Sequence, residues 1–278
     1  MKSTNLVNSK TEVNSYMPIL TLTTDLGTQD QYVAAIKGSL ISLAPTATLI
    51  DISHDIPSFD FYKAAYILKH SYYFFPEKTI HLIGVTPFST DTHGYLAAQY
   101  KNHFFIGPDS GLFSAIFDEP AQQLVKLNGK ADPKFRTFSL IDLPVKAAAK
   151  LLNGAKLSDI GEKTDSYYER NFLKPFASNN SIDGYITHID RFKNIITDID
   201  LNLFKEVGKN RAFTIAFKNY TIRDINTHYE DVISGESIAF FNFQGFLEIA
   251  INYGNAASLL NFNRGEKIKI IFNDHTDS

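Results

Sequence analysis

Two carboxylates flank a glycine in Thr23-Thr24-Asp25-Leu26-Gly27-Thr28-Gln29-Asp30. An apolar run over 18–22 ends there, and a helical pattern (Tyr32, Val33, Ile36, Leu40, Ile41) starts just behind it. Strand, acidic loop, helix is the order that places ligand contacts past the carboxyl end of a strand in an open α/β sheet. Asp30 stands where a helix N-cap would sit. Asp25 caps nothing evident and is the stronger candidate for a ligand contact. Three more stretches put polar groups at strand ends. In 51–60, His54 could be a base or a ligand, although holding the turn through a neighbouring backbone group is the simpler reading. Phe59 reads equally as a core residue or as an aromatic floor for a planar ligand. In 85–94, Asp91 and His93 are two apart, so on extended backbone they share a face and could form an acid–base pair. A solvated surface loop is the plainer reading of that stretch. Gly107-Pro108-Asp109-Ser110-Gly111 is a turn signature that also delivers a helix N-terminus, with Asp109 or Ser110 as cap.

The elements that must position these groups alternate. Strands are expected over 19–23, 48–52, 79–85, 95–100 and 104–106, with helices over 31–42, 61–73, 112–117 and 147–152. Strands separated by helical segments argue for a sheet with parallel members. At 178–181 the chain turns to Ser and Asn, a linker signal. Beyond it come short strands (182–189, 195–199, 212–217, 220–222, 238–241, 246–251, 267–272) with little helical periodicity except at 256–260. That pattern describes a small all-β domain, a barrel. The expected organisation is a flexible arm over 1–17, an α/β domain over 18–180 and a β-barrel domain over 181–278.

Composition narrows the functions. The 278 residues are 44% hydrophobic and 21% charged, with net charge -3. This suits a globular protein and carries no electrostatic footprint for nucleic acid or a membrane surface. With no cysteine, disulfides, thiolate metal sites and cysteine nucleophiles are excluded. The polar N-terminus does not read as a signal peptide, and no apolar run has the length of a membrane span. The expected location is the cytoplasm. No Walker loop, G-x-G-x-x-G, G-x-S-x-G or H-E-x-x-H motif occurs, and the histidines have no metal-ligand spacing, so no metal is expected.

The order of these stretches resembles the S-adenosyl-L-methionine (SAM) hydroxide adenosyltransferases, the adenosine-forming SAM hydrolases related to the SAM-dependent fluorinase and chlorinase. The matching residues in the first half are Thr23-Thr24-Asp25-Leu26-Gly27 with Asp30, Tyr32-Val33 and Lys37-Gly38, then Ile52-Ser53-His54 with Ile56-Pro57 and Phe59-Asp60. Phe75-Pro76, Gly107-Pro108-Asp109 with Gly111-Leu112, and Thr137-Phe138 with Asp142 follow. In the second half they are Ile189-Asp190-Arg191-Phe192 with Asn194 and Ile196, then Asn242 and Gly245-Phe246-Leu247-Glu248-Ile249-Ala250 with Asn252, Gly254, Asn255 and Ala256.

The resemblance implies an α/β domain with a Rossmann-like central sheet plus a C-terminal β-barrel. It also implies a homotrimer, with SAM between the N-terminal domain of one subunit and the C-terminal domain of the next. SAM would be substrate or ligand, with no separate cofactor. Asp25 would hold the ribose hydroxyls, and Phe59 would pack near the sugar or base. Asp190, with Phe192 and Asn194, would bind the methionine end. Asn242, Asn252 and Tyr253 would lie at the adenine edge. The catalytic positions depart from the hydrolases. Thr86 and His93 stand in place of an Asp and an Arg in the loop after the third strand, and Ser139 replaces a His. Asp91 and His93, with Ser89 and Ser139 orienting water, form the remaining candidate set beside Thr86. Halogenation is disfavoured, because Leu140 stands where a halide-contacting serine would be and cannot donate a hydrogen bond. A SAM- or adenosine-binding homologue without turnover is the alternative.

Overall fold

Strands covered on both faces can be apolar at every position. Ile80–Gly84 is covered in this way, buried at all of its residues, with His81 as its one polar side chain. A computed structural model describes residues 17–85, 94–129 and 132–273. The chain divides into two compact units, Met1–Glu169 and Arg170–Ser278.

The first unit runs β1 (Ile19–Thr24), α1 (Gln31–Leu43), β2 (Thr48–Ser53), α2 (Phe61–Lys69), β3 (Ile80–Gly84), β4 (Tyr95–Tyr100), β5 (His103–Pro108), α3 (Leu112–Ile116), β6 (Gln123–Leu127), α4 (Leu143–Leu152) and β7 (Gly161–Lys163). The sheet order is β2-β1-β3-β5-β4-β6-β7. Pairing is parallel from β2 to β5 and antiparallel beyond. One core joins Leu20 and Leu22 to Ile36, Leu40 and Val145. A second joins Ile83 and Phe105 to Ala64, Leu68 and Phe113. Helices α1 and α4 therefore cover one face and α2 and α3 the other, the doubly wound arrangement expected of a Rossmann-like sheet.

The second unit runs β8 (Phe176–Ala177), β9 (Ser181–Ile189), β10 (Ile195–Asp200), α5 (Leu201–Gly208), β11 (Phe213–Phe217), β12 (Tyr220–Ile222), β13 (Ser237–Phe241), β14 (Phe246–Ile251), α6 (Ala256–Leu259) and β15 (Lys267–Phe272). Its antiparallel sheet, ordered β12-β11-β15-β9-β10-β14-β13, is nearly closed into a barrel. The alternation of buried and half-buried residues along β9 is what a strand with one face on a core requires.

Several elements differ from expectation. The helix expected over 61–73 ends at Lys69, because Ser71 Oγ turns back to Ile67 O at 2.7 Å and a 3-10 turn takes over at Tyr72–Phe74. The fourth helix starts at Leu143, with Pro144 in its first turn. Strands β6 and β7 and helix α5 were not anticipated. The α5 start carries a clear signal in Asp200, whose Oδ1 accepts from Asn202 N at 2.8 Å and Leu203 N at 2.9 Å. Gly111, at φ 90°, precedes α3 where Asp109 or Ser110 was expected as the cap. Asp109 instead accepts the Tyr168 N–H at 2.7 Å.

Candidate functional site

β1 lies between β2 and β3, so the chain leaves the sheet in opposite directions on its two sides. Ligands bind at such a switch point, past the strand ends. Thr24 is the last residue of β1 and pairs with Gly84, the last of β3. Asp25 follows immediately, its N–H on Gly84 O at 3.4 Å. Its Oδ2 accepts the Phe59 N–H at 2.8 Å. Phe59 has φ 66°, a left-handed conformation uncommon for a bulky residue, and its ring is 60% exposed. Phe59 is therefore not a core residue. Asp25 and Phe59 together form a carboxylate beside an exposed ring at the strand end. Asp30 occupies the N-cap position of α1 without a side-chain cap bond.

A polar chain fixes this loop from behind. His54 is buried. Its Nδ1 is 2.7 Å from Thr24 Oγ1, and Thr24 Oγ1 accepts the Leu26 N–H at 3.4 Å. Its Nε2 lies 3.1 Å from Asp51 Oδ1, and Lys37 Nζ lies 2.5 Å from Asp51 Oδ2. The tautomer with its proton on Nε2 would turn that proton toward the carboxylate and leave Nδ1 to accept from the Thr24 hydroxyl. Burial works against ionisation of Asp51, but Lys37 and His54 outweigh it and lower its pKa. The turn-holding role expected of His54 is carried by its own carbonyl, which accepts the Gly27 N–H at 3.0 Å. Its side chain ties two strands together instead.

At the end of β3, a Cβ on Gly84 would lie 2.3 Å from Leu140 Cδ2. Leu140 is fully buried in the core, so it fills the space behind the strand end. Next to it, Ser139 Oγ is 2.8 Å from Tyr95 OH. Burial pushes the Tyr95 phenol up to about 12, so it meets Ser139 as a neutral hydroxyl and not as a base. Thr86, Ser89, Asp91 and His93 lie outside the described residues.

The second unit holds a separate polar cluster. Asp190 opens the turn between β9 and β10, and its Oδ1 accepts the Asn194 N–H at 2.8 Å. Asn194, buried, directs Nδ2 to Glu248 Oε1 at 2.9 Å, Tyr229 OH at 3.0 Å and Asp190 Oδ2 at 3.4 Å. Asn242 donates from Nδ2 to Glu248 Oε2 at 3.1 Å and accepts Gln244 and Phe246 N–H on Oδ1, both at 3.1 Å. Burial raises the pKa of both Asp190 and Glu248, against hydrogen bonds that pull the other way. Among the described residues neither acid forms an ion pair with Lys, Arg or His. Asn252 is buried and donates from Nδ2 to Val232 O at 2.8 Å. Tyr253 and Phe192 are 90% and 77% exposed.

The structure thus brings Asp25 to Phe59 in one unit and Asp190 to Asn194 and Asn242 in the other. Asn194, Asn242 and Asn252, all expected at ligand, spend amide hydrogen bonds on the scaffold. Glu248 was given no role from sequence, although an acid inside the apolar run 246–251 was a visible signal. Among the described residues, no group of three or more acidic or histidine side chains could hold a metal, and no helix is long and apolar enough to cross a membrane.

Known proteins share this organisation. An (R)-S-adenosyl-L-methionine hydrolase of Methanocaldococcus jannaschii is 28% identical, with 92% of this chain and 97% of that protein covered. A Thermus thermophilus protein of the same name is 27% identical, with 89% and 97% covered. A fluorinase of an Actinoplanes species is 22% identical, with 91% and 97% covered. The crystal structure of an uncharacterized conserved protein from Thermotoga maritima superposes with a TM-score of 0.83 at 27% identity, covering 91% of this chain and 99% of that one. The SAM hydroxide adenosyltransferase N-terminal domain matches residues 20–161 and the C-terminal domain residues 184–269, and the chain belongs to this family.

Proposed function

We propose that this protein hydrolyses SAM to adenosine and methionine. The observation that carries the reading is the Asp25–Phe59 pair at the switch point. A half-buried carboxylate can accept both ribose hydroxyls, and an exposed ring beside it suits the sugar or base. Water attacks the ribose C5′. The new O–C5′ bond forms as the C5′–S bond breaks, its electron pair goes to sulfur, and the attacking water loses a proton. The leaving group is a neutral thioether that needs no protonation, so the protein's main tasks are to orient and desolvate the water. Asp190 would hold the methionine ammonium, with Phe192 and Asn194 shaping its turn, and Asn242, Asn252 and Tyr253 would serve the adenine side. Asp91 and His93, with Thr86, Ser89 and Ser139, are the residues proposed at the water. The working form would be a cytoplasmic homotrimer of 18–180 and 181–278 domains, with each site shared between neighbouring subunits.

Incubating the purified protein with SAM and chromatographing the products tests this. Adenosine and methionine in equal amounts are expected, with no 5′-halogenated adenosine in chloride or fluoride. No adenosine after long incubation would sink the hydrolase reading. A binding-only homologue is the second reading, favoured by Ser139, whose hydroxyl, 2.8 Å from the neutral Tyr95 phenol, is not itself the base that a histidine at this position would be. SAM binding by calorimetry without product would establish it.

A further inference from the structure

We propose that Glu248 is a positioning residue for SAM, holding two substrate-facing turns of the second unit in register through one buried carboxylate. The inference rests on the SAM reading above. Glu248 is 5% exposed on β14. It receives three donors from three separate segments: Asn194 Nδ2 at 2.9 Å, Tyr229 OH at 3.1 Å and Asn242 Nδ2 at 3.1 Å. Asn194 passes the constraint to Asp190 through its N–H at 2.8 Å and its Nδ2 at 3.4 Å. Asn242 passes it to the β13–β14 hairpin through the Gln244 and Phe246 N–H groups. These turns carry Phe192 and Phe243, which are 77% and 81% exposed. Both turns are thus set by an acid that is itself shut off from solvent.

Only an acceptor at both oxygens satisfies this arrangement. A carboxylate is acceptor-only, whereas a glutamine in its place turns one end into an NH₂ donor. That end would face either Asn242 Nδ2 or the Asn194 and Tyr229 donors, and one buried pair would go unmade. The Asp190 charge faces the same cluster and disfavours ionised Glu248, as burial does. The donors on its two oxygens, Asn242, Tyr229 and Asn194, pull the other way.

The test compares the full-length wild type with Glu248→Gln and Tyr229→Phe. Adenosine release from SAM gives KM and kcat, or calorimetry gives Kd if binding occurs without turnover. Amide exchange is followed over 190–194 and 242–246. The expected result for Glu248→Gln is a KM or Kd raised about tenfold, the equivalent of one lost charge-assisted hydrogen bond, with kcat within about twofold. Exchange should quicken in both turns and stay unchanged over β1 and β3. Tyr229→Phe, which removes one donor at a partly exposed site, should show the same split at about threefold, and it decides the matter if Glu248→Gln does not fold. Wild-type affinity in the variants, beside a wild type that binds SAM, overturns the role of Glu248 alone. A wild type that does not bind SAM overturns the substrate reading and this inference with it.

Discussion

In the first unit, Asp51 sits behind the strand-end loop with Lys37 at 2.5 Å and His54 at 3.1 Å. In the second unit, Glu248 and Asp190 are surrounded by amides, a phenol and backbone N–H groups. The first arrangement neutralises its acid locally, so it can fix the Thr24–Gly27 loop without drawing in a cation. The second surrounds its two acids with dipoles in place of cations. Charges desolvated in this way are costly unless something compensates them. Under the proposed SAM reading, the contrast fits a division of labour, with the uncharged diol of a nucleoside at the first unit and a cationic ammonium at the second.

The comparison breaks most sharply at Asp25. Replacing it with alanine should weaken both adenosine and SAM by more than about 100-fold, since two hydrogen bonds to a charged acceptor are lost. Calorimetry with each ligand checks this, and unchanged adenosine affinity would remove the first unit from the nucleoside role. Asp190→Asn should separate the two ends. Adenosine binding stays at the wild-type level, while SAM weakens about 10- to 100-fold through loss of a charge-assisted contact. Equal losses for both ligands would contradict the division.

Acidification should move the two units in opposite directions. In the first, His81 is buried beside Thr21 and His103, and burial holds its pKa down at about 3. The unfolded chain binds the proton first, so this contribution is intact above about pH 6.5 and is lost as pH falls toward 3, by at most about 1.4 kcal/mol per pH unit. In the second unit, burial pushes Asp198 on β10, which accepts the Tyr185 N–H of β9, up to about 6. There the folded state binds the proton first, so stability grows as pH falls through the raised value. Hydrogen exchange corrected for intrinsic rates, compared at pH 7 and pH 5, should show β3 and β5 opening more easily and β9 and β10 less. Parallel shifts in both units would refute the contrast. The smallest effect is expected at Lys37. Its ion pair with Asp51 is partly exposed, at 33% and 40%, so Lys37→Met should change urea stability by less than about 1 kcal/mol. A larger loss would show that the Asp51–His54 chain depends on its cation.

Much of the candidate site's location was legible in the sequence. An apolar run ending in Asp25 and Gly27 marked the strand end, and the Ser-Asn stretch at 178–181 marked a change to short strands. The pairing of Asp25 with Phe59 was not legible. They are 34 positions apart and meet only because β1 and β2 lie side by side. Glu248 lies in a matching motif, but its role was not legible there, since nothing local says that donors near 194, 229 and 242 converge on it. The expected caps at Asp109 and Ser110 failed for the same reason. The Asp109 carboxylate is claimed by Tyr168, a partner too distant for a turn signature to reveal.

What the sequence determined by itself was periodic and local: which runs are strands or helices, where chemistry-bearing loops leave them, and, through motif order, the family. Side-chain alternation and turn chemistry act over a few residues, so they can be read in one dimension. The tertiary structure alone decided which polar groups are spent on the frame and which are left exposed at the loops. A buried amide or carboxylate must find partners wherever the fold brings them. At Asn194, Asn242 and Glu248 those partners come from distant strands and turns.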